Sequence, residues 1–457
     1  MAGEGSAEVA DRVFRVRRAA NGAKSVSEMD GYTVAYGQMI DPSTEETIDE
    51  VMVTRFCAPH SYTGEEAVEI SCHGGVTVRQ EILRVLLENG ARMAGPGEFT
   101  RKAFMAGKID LSQAEAVMDV IASDSKLSLR AAESQLQGAL KTRIREISTE
   151  LYSAFAVFEM LIDEPDDEDA AAMFSGNTET LNRIRGRMME ILDTYRQGRI
   201  LSERMTVVIC GVPNSGKSSL LNYLSGYSRA IVTDVPGTTR DTLEVMTTLG
   251  GVPVRLIDTA GIRKTSDMVE AIGVDRASGA LLEADIVLWM VSCEDEDDKA
   301  QEEMISLLTE LPEETKVVLL ISKSDMASED ACRKQREKID GMFSAKGVSG
   351  RISLYCEVSS LNGEGIGEIE AFVKETYDML GTDHAQGVML TNQRHYEHLS
   401  RALERLDECI GLSKQQASPE EPSLILRTVM EELGEITGDN VSDTLVDTIF
   451  SRFCVGK

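Results

Sequence analysis

Three short runs near the start of the chain, residues 32–36, 49–55 and 67–71, alternate apolar and polar side chains with a period of two. That period belongs to strands buried on one face. An apolar stripe at helical spacing follows over 79–87 and stops at Asn89-Gly90, a helix-ending pair. Residues 1–107 therefore read as a small α+β domain. From Leu111 the period lengthens: Leu136, Leu140, Ile144, Ile147, Leu151, Phe155 and Phe158 recur at threes and fours, and Leu181, Ile184, Met188, Ile191 and Tyr195 do so again. Residues 204–380 alternate apolar runs of strand length with helical stripes. Helical periodicity then returns at Leu399, Leu403, Leu406 and Ile410, and at Leu426, Met430, Leu433 and Ile436. The pattern predicts a multidomain α/β chain, with a discontinuous helical domain (108–203 and 381–457) into which a doubly wound α/β domain (204–380) is inserted.

Composition sharpens this picture in two ways. With 457 residues and 42% apolar content there is enough for several cores, and no apolar run has the length of a membrane span, so a cytoplasmic protein without a membrane partner is expected. The formal net charge of −30 disfavours a broad electrostatic grip on a polyanion, so any nucleic acid must be held locally or with a partner's help. The acidic runs at 163–169 and 294–298 read as solvated loops. Eight cysteines, among them Cys57, Cys72, Cys210 and Cys454, show no C-x-x-C pairing and read as buried thiols, with Cys454 set apart near the end. His395 and His398 share one helix face, but no third ligand is in sight for a metal.

The chemistry concentrates in the inserted domain. Gly211-Val-Pro-Asn-Ser-Gly-Lys-Ser218 is a complete phosphate-binding loop placed between an apolar strand and a helix. Its backbone N–H groups, from Asn214, Ser215 and Gly216 to Ser219, suit phosphate oxygens; Lys217 reaches the terminal phosphates and Ser218 offers a hydroxyl to Mg²⁺. Pro236-Gly-Thr-Thr-Arg-Asp241 reads as a switch whose Thr239 completes the Mg²⁺ shell, and Asp258-Thr-Ala-Gly261 closes a strand, with Thr259, Ala260 and Gly261 beside the γ-phosphate. Asp325, in Ser322-Lys-Ser-Asp325, accepts two hydrogen bonds from a guanine edge and selects that base; Ser359-Ser-Leu361 is a weaker candidate for backbone contacts to it. Together these make the inserted domain a Ras-like P-loop G domain. Ile262 stands where a water-orienting glutamine is usual, so Glu270 is the candidate for positioning water, and a monovalent cation beside Asn214 is the candidate for the charge an arginine finger would supply.

Nearly end to end, the chain resembles the MnmE (TrmE) family of tRNA-modification GTPases. The resemblance rests on Ser61-Tyr-Thr-Gly64, His73-Gly-Gly75, Pro96-Gly-Glu-Phe-Thr-Arg101, Lys108-Ile-Asp-Leu111, Gln113-Ala-Glu-Ala116, Asn392-Gln-Arg-His395 and, most specifically, Phe453-Cys-Val-Gly-Lys457. It implies a K⁺-stimulated GTPase that dimerises and works with an FAD-containing partner, MnmG, as a heterotetramer. Such proteins add an aminomethyl-type group to C5 of the wobble uridine of certain tRNAs, with a tetrahydrofolate derivative (5-formyl or 5,10-methylene) as one-carbon donor. By position, Asn214, Thr233, Val235 and Thr238 match the family's K⁺ site, Ser218 and Thr239 its Mg²⁺ ligands, Glu270 its catalytic glutamate, and Glu69, Lys108 and Lys457 its folate contacts. The stretch Thr233-Asp234-Val235-Pro236-Gly237-Thr238-Thr239 accordingly joins the GTP site.

Two departures qualify what the resemblance implies. Ser322 replaces the asparagine of the family's guanine motif, so one contact to the base or to the phosphate loop is expected to be shortened or lost. The chain also begins without a first strand and an arginine that the family carries, so an incomplete folate domain is expected. Two other readings share the motifs: a regulatory GTPase of ribosome assembly, which needs a basic RNA-binding module this acidic chain does not offer, and a scaffold that binds nucleotide without turnover.

Overall fold

The computed structural model describes residues 1–19, 22–163, 170–227, 243–258, 279–293, 297–346, 350–382, 388–415, 418–454 and 456. Two compact units emerge: Met1–Ala122 with Ala132–Leu192 and Arg394–Lys457, and Ser123–Ala131 with Asp193–Gln393.

The first unit opens with α1 (Ser6–Val13), then β1 (Phe14–Ala19), β2 (Thr33–Ile40), β3 (Thr47–Phe56) and β4 (Ala67–Ser71), which form one antiparallel sheet in chain order. Alternation does what it predicts: Ala35, Met39, Val51, Val53 and Val68 line one buried face and pack with Ala7, Ala10 and Val13 of α1 and with Ile82 and Val85 of α2 (Val76–Glu88). The sequence pattern did not reveal α1 or β1. The helix has eight residues with two small alanines among its buried positions, and the strand, Phe-Arg-Val-Arg-Arg-Ala, puts arginines on its exposed positions and so lacks an apolar run. Gly37 lets β1 and β2 pair, because a Cβ there would lie 2.2 Å from the Arg15 carbonyl.

After α3 (Glu98–Met105) the unit turns helical, with α4 (Leu111–Ala122), α5 (Lys126–Leu136), α6 (Ala139–Asp163) and α7 (Ala170–Leu192). The stripe Leu140, Ile144, Ile147, Leu151, Phe158 of α6 is buried, as are Leu181, Ile184, Met188 and Ile191 of α7, because residues three and four apart share one helix face.

The second unit takes the first half of α5, then α8 (Tyr195–Glu203), β5 (Met205–Gly211), α9 (Lys217–Tyr227), β6 (Leu243–Leu249), β7 (Val252–Asp258), β8 (Ile286–Ser292), α10 (Asp298–Glu310), β9 (Lys316–Ser322), α11 (Glu329–Ala345), β10 (Ile352–Val358) and α12 (Ile366–Thr382). Its sheet runs β10-β9-β8-β5-β7-β6, parallel except for β6. Every residue of β8 is buried, as are all but the last of β5, so their apolar runs do not alternate; helices cover both faces. Leu220, Leu224, Ile369 and Val373 close one face, and Ile305, Leu308, Ile339 and Phe343 the other. Neighbours of β5 lie on opposite sides of it in the two directions of chain progress, which opens a crevice at the carboxyl ends of the strands. The chain returns to the first unit with α13 (Gln393–Lys414), α14 (Glu420–Thr437) and α15 (Asp443–Ser451). The fold is thus a small α+β domain, a discontinuous helical domain and an inserted Ras-like P-loop domain. Among the described residues no helix is long and apolar enough to cross a membrane.

Candidate functional site

At that crevice the end of β5 turns into α9 through the phosphate loop. Gly211 has φ 143°, and a Cβ on it would sit 2.2 Å from the Met290 carbonyl of β8, so only glycine fits. Asn214 and Gly216 also take positive φ, 63° and 96°, which curls the backbone into a nest of N–H groups at the start of α9. Lys217 folds back over this nest and donates to the carbonyls of Gly211 (2.9 Å) and Val212 (2.7 Å). Ser215 is fully buried with its hydroxyl unpartnered. A buried orphan at that place is what a loop shaped for a ligand leaves behind.

Beside it, the Ser218 hydroxyl lies 3.4 Å from the carboxylate of Asp258, which is buried at the end of β7. A hydroxyl and a carboxylate, both hard oxygen donors, meet at the start of the helix where phosphates would enter, a donor set that fits Mg²⁺. Ser219 is exposed in the first turn of α9.

On the far side of the crevice β9 ends in Ser322, whose buried hydroxyl reaches the carbonyls of Ser215 (2.7 Å) and Val291 (3.3 Å). Of the two contacts expected to suffer from the serine, to the base or to the phosphate loop, the one to the phosphate loop is made: the shorter side chain still reaches, because Ser215 O lies within hydroxyl range of the end of β9. Lys323 adopts φ 61°, and Asp325 is exposed on the short 3₁₀ turn Ser324–Met326, free to face a base. Beyond β10, Ser359 is buried; its hydroxyl accepts from Leu361 N (3.3 Å) and its carbonyl from Gly363 N (2.9 Å), so Ser360 and Leu361 form a tight turn at the crevice rim. The phosphate loop, Asp258, the Ser322–Asp325 loop and the Ser359–Leu361 turn are thereby brought to one edge of one sheet. Thr233, Asp234, Val235, Pro236, Gly237, Thr238, Thr239, Thr259, Ala260, Gly261, Glu270 and Lys457 lie outside the described residues.

Comparison with known proteins decides the family. A family model described as the MnmE helical domain matches residues 111–454, and one described as the GTP-binding protein TrmE N-terminus matches residues 1–108. The tRNA modification GTPase MnmE of Acetivibrio thermocellus is 37% identical over all of this chain and 95% of its own length, and that of Staphylococcus epidermidis is 38% identical with the same coverage. The chain belongs to the MnmE (TrmE) family.

Two other features of this MnmE chain bear on its chemistry. Of the candidate folate residues, Glu69 is exposed on β4 opposite Thr54, and Lys108 is exposed in the turn after α3, its stem running beside Gly64. The family-like stretches around Asp110, Glu115 and His395 meet in the helical domain. Arg394 makes a bidentate pair with Glu115 (3.0 and 2.8 Å) and donates to the Glu435 carbonyl at the end of α14 (2.6 Å), while His395, fully buried, lies 2.7 Å from the same carboxylate. Burial works against the Glu115 carboxylate, but His395 and Arg394 outweigh it and hold it down to about 2, while burial holds His395 below its ordinary value. Sequence reasoning left this cluster without a role, since its members are 279 and 280 positions apart and each alone is an ordinary polar residue. The two histidines that share a helix face turn to different carboxylates, His395 to Glu115 and His398 to Glu432. All eight cysteines are free thiols, and Cys454 is exposed.

Proposed function

We propose that this chain is a K⁺-stimulated GTPase of tRNA modification. In this reading it works as a homodimer with an FAD-containing MnmG-type protein, in a cytoplasmic heterotetramer, to place an aminomethyl-type group on C5 of the wobble uridine of certain tRNAs, with a tetrahydrofolate derivative as one-carbon donor. The observation that carries it is the Lys217–Ser218–Asp258 arrangement at the carboxyl edge of the sheet, joined through Ser215 to the loop bearing Asp325.

The residues act in sequence along the nucleotide. Lys217 exchanges two backbone carbonyls for the β- and γ-phosphate oxygens, a short movement that replaces neutral acceptors with charged ones. The loop N–H groups take the remaining phosphate oxygens, and Asp325 takes the guanine edge, which adenine cannot match. Ser218 and Thr239 would hold Mg²⁺, which would supply positive charge against the phosphates when bound. Asn214, on its left-handed turn, presents an exposed side chain beside the phosphates. With Thr233, Val235 and Thr238 it holds K⁺ where other GTPases use an arginine. Glu270 orients the attacking water, and Glu69, Lys108 and Lys457 hold the folate. Turnover of the full-length protein in K⁺ and Na⁺ at matched ionic strength tests this: K⁺ should accelerate hydrolysis and Asn214→Ala should abolish that response, whereas equal rates in the two salts would refute it.

A further inference from the structure

A second chemical feature lies directly behind the loop that carries Ser322. Cys293, the residue after β8, and Cys332, on α11, bring their sulfurs to 2.9 Å of one another. The Cys293 thiol also donates to the Ser322 carbonyl (3.2 Å), which its own backbone N–H also approaches (3.4 Å). Cys332 is sealed in the core at 2% exposure, whereas Cys293 is half-buried and open to a small reagent. The chain between the two cysteines contains the whole segment from Ser322 to Asp325. None of the other chemistry described for this protein uses either thiol.

We propose that Cys293 and Cys332 are a reversible disulfide-forming pair that reacts with low-molecular-weight disulfides and sets guanine-nucleotide affinity through Ser322. The coupling rests on the guanine-site reading above. In the first step the Cys293 sulfur loses its proton to solvent and attacks one sulfur of the reagent R–S–S–R; a Cys293–S–S–R bond forms and R–SH leaves. In the second, Cys332 loses its proton and attacks the Cys293 sulfur, expelling the second R–SH and leaving the Cys293–Cys332 bond. The two protein thiols are oxidised and the reagent disulfide is reduced to two thiols. The sulfurs are already in contact and need close by less than about 1 Å to reach bonding distance.

The product cannot donate to the Ser322 carbonyl, because its sulfur has lost its hydrogen. The carbonyl keeps only the longer backbone contact, and the turn after β8, which reaches the end of β9 through that contact, becomes tethered to α11. Since Ser322 ties this strand end to the phosphate loop, the change reaches both halves of the nucleotide site. Burial, followed by the contact with Cys332, holds the Cys293 thiol well above its ordinary pKa, so reaction is slow at neutral pH and calls for an excess of reagent.

The full-length protein, incubated with millimolar 2-hydroxyethyl disulfide, should yield a non-reduced peptide joining Cys293 to Cys332. Its Kd for a fluorescent GDP should rise at least about fivefold, as loss of one hydrogen bond near the site implies, and dithiothreitol should restore it. C293A and C332A, each compared with itself before and after reagent, should give no joined peptide, and C293A should keep its affinity. Modification of the exposed Cys454 with no joined peptide would overturn the proposal, as would a joined peptide with Kd changed by less than about twofold. Failure of a fully reduced protein to bind GDP would instead refute the guanine reading and the coupling with it, while the joined peptide would still report on the thiol chemistry.

Discussion

Two polar constellations in this chain are each assembled from distant stretches, and they differ in what they leave unsatisfied. In the inserted domain Ser215 has a buried hydroxyl without a partner, Lys217 donates to two carbonyls of the loop it belongs to, and Asp325 is exposed. In the helical domain Glu115 has both oxygens occupied, by Arg394 and His395, and Arg394 also closes the end of α14. The first leaves its ligand-facing groups open to an outside partner, whereas in the second the charged pair is matched inside the protein, with only the uncharged Nδ1 edge of His395 left without a partner among its described neighbours. Binding energy should therefore reside in the first and folding energy in the second, and substitutions in each ought to separate cleanly.

The largest separation is expected from Glu115→Ala. Removing the carboxylate leaves a partly buried guanidinium and a buried imidazole without their shared acceptor, a loss of about 3 kcal/mol, the lower end for a broken buried pair. Denaturant unfolding should show it, with guanine-nucleotide affinity unchanged. A loss below about 1 kcal/mol would mean that water or a neighbour replaces the carboxylate as the acceptor for Arg394 and His395.

Lys217→Ala is the mirror experiment. Affinity for GTP, or turnover, should fall about 100-fold to 1,000-fold, the usual consequence of deleting one preorganised donor to a charged group, while unfolding of the nucleotide-free protein stays nearly the same. If stability fell as far as affinity, the lysine would be holding the loop together rather than waiting for phosphate.

Acid gives a third way to tell the two regions apart. Both Glu115 and His395 have lower pKa values folded than unfolded, so the unfolded chain binds more protons in acid. Their stabilisation is complete above about pH 6.5, erodes as His395 would take up its proton in the unfolded chain, and is lost further as the pH falls from about 4.5 towards 2. Glu115 alone should account for about 2 kcal/mol lost by about pH 3. Unfolding curves at several pH values should show this slope in the parent, and Glu115→Gln should lose the part between about pH 4.5 and 2 while keeping the part due to His395; an unchanged slope below about pH 4.5 would move its origin to other carboxylates.

Legibility in the sequence follows the same division. The phosphate loop could be read from Gly211 to Ser218 because each position answers a local demand: a glycine where a Cβ would strike the Met290 carbonyl, a lysine and a hydroxyl at a helix start. The strands of that domain were readable as apolar runs because helices cover both faces. The helical cluster was not readable as a unit, since its pairing depends on how α4, α13 and α14 pack, which no local pattern encodes. The edge strand β1 hid for a related reason: its arginines satisfy exposed positions and erase the alternation. The Cys293–Cys332 contact is likewise a product of packing, because the spacing of the two cysteines follows no known motif.

Ser322 carries the smallest expected effect and the sharpest test of the open site. From the motif alone, Ser322→Asn should tighten guanine nucleotides by restoring a missing contact. With the serine hydroxyl already 2.7 Å from Ser215 O and also within 3.3 Å of Val291 O, the contact to the phosphate loop is made, and a longer amide has to displace buried neighbours to reach the same carbonyl. Asparagine should then give no gain. Ser322→Ala should weaken GDP by about 0.5–1.5 kcal/mol, the net value of one hydrogen bond, because Ser215 loses the tie that fixes its carbonyl and with it the aim of the neighbouring N–H groups. Titration of both variants with fluorescent GDP decides between the accounts. A tighter asparagine variant would show that the serine tie falls short of what the base needs, and an alanine variant that binds like the parent would show that the tie does not order the phosphate loop.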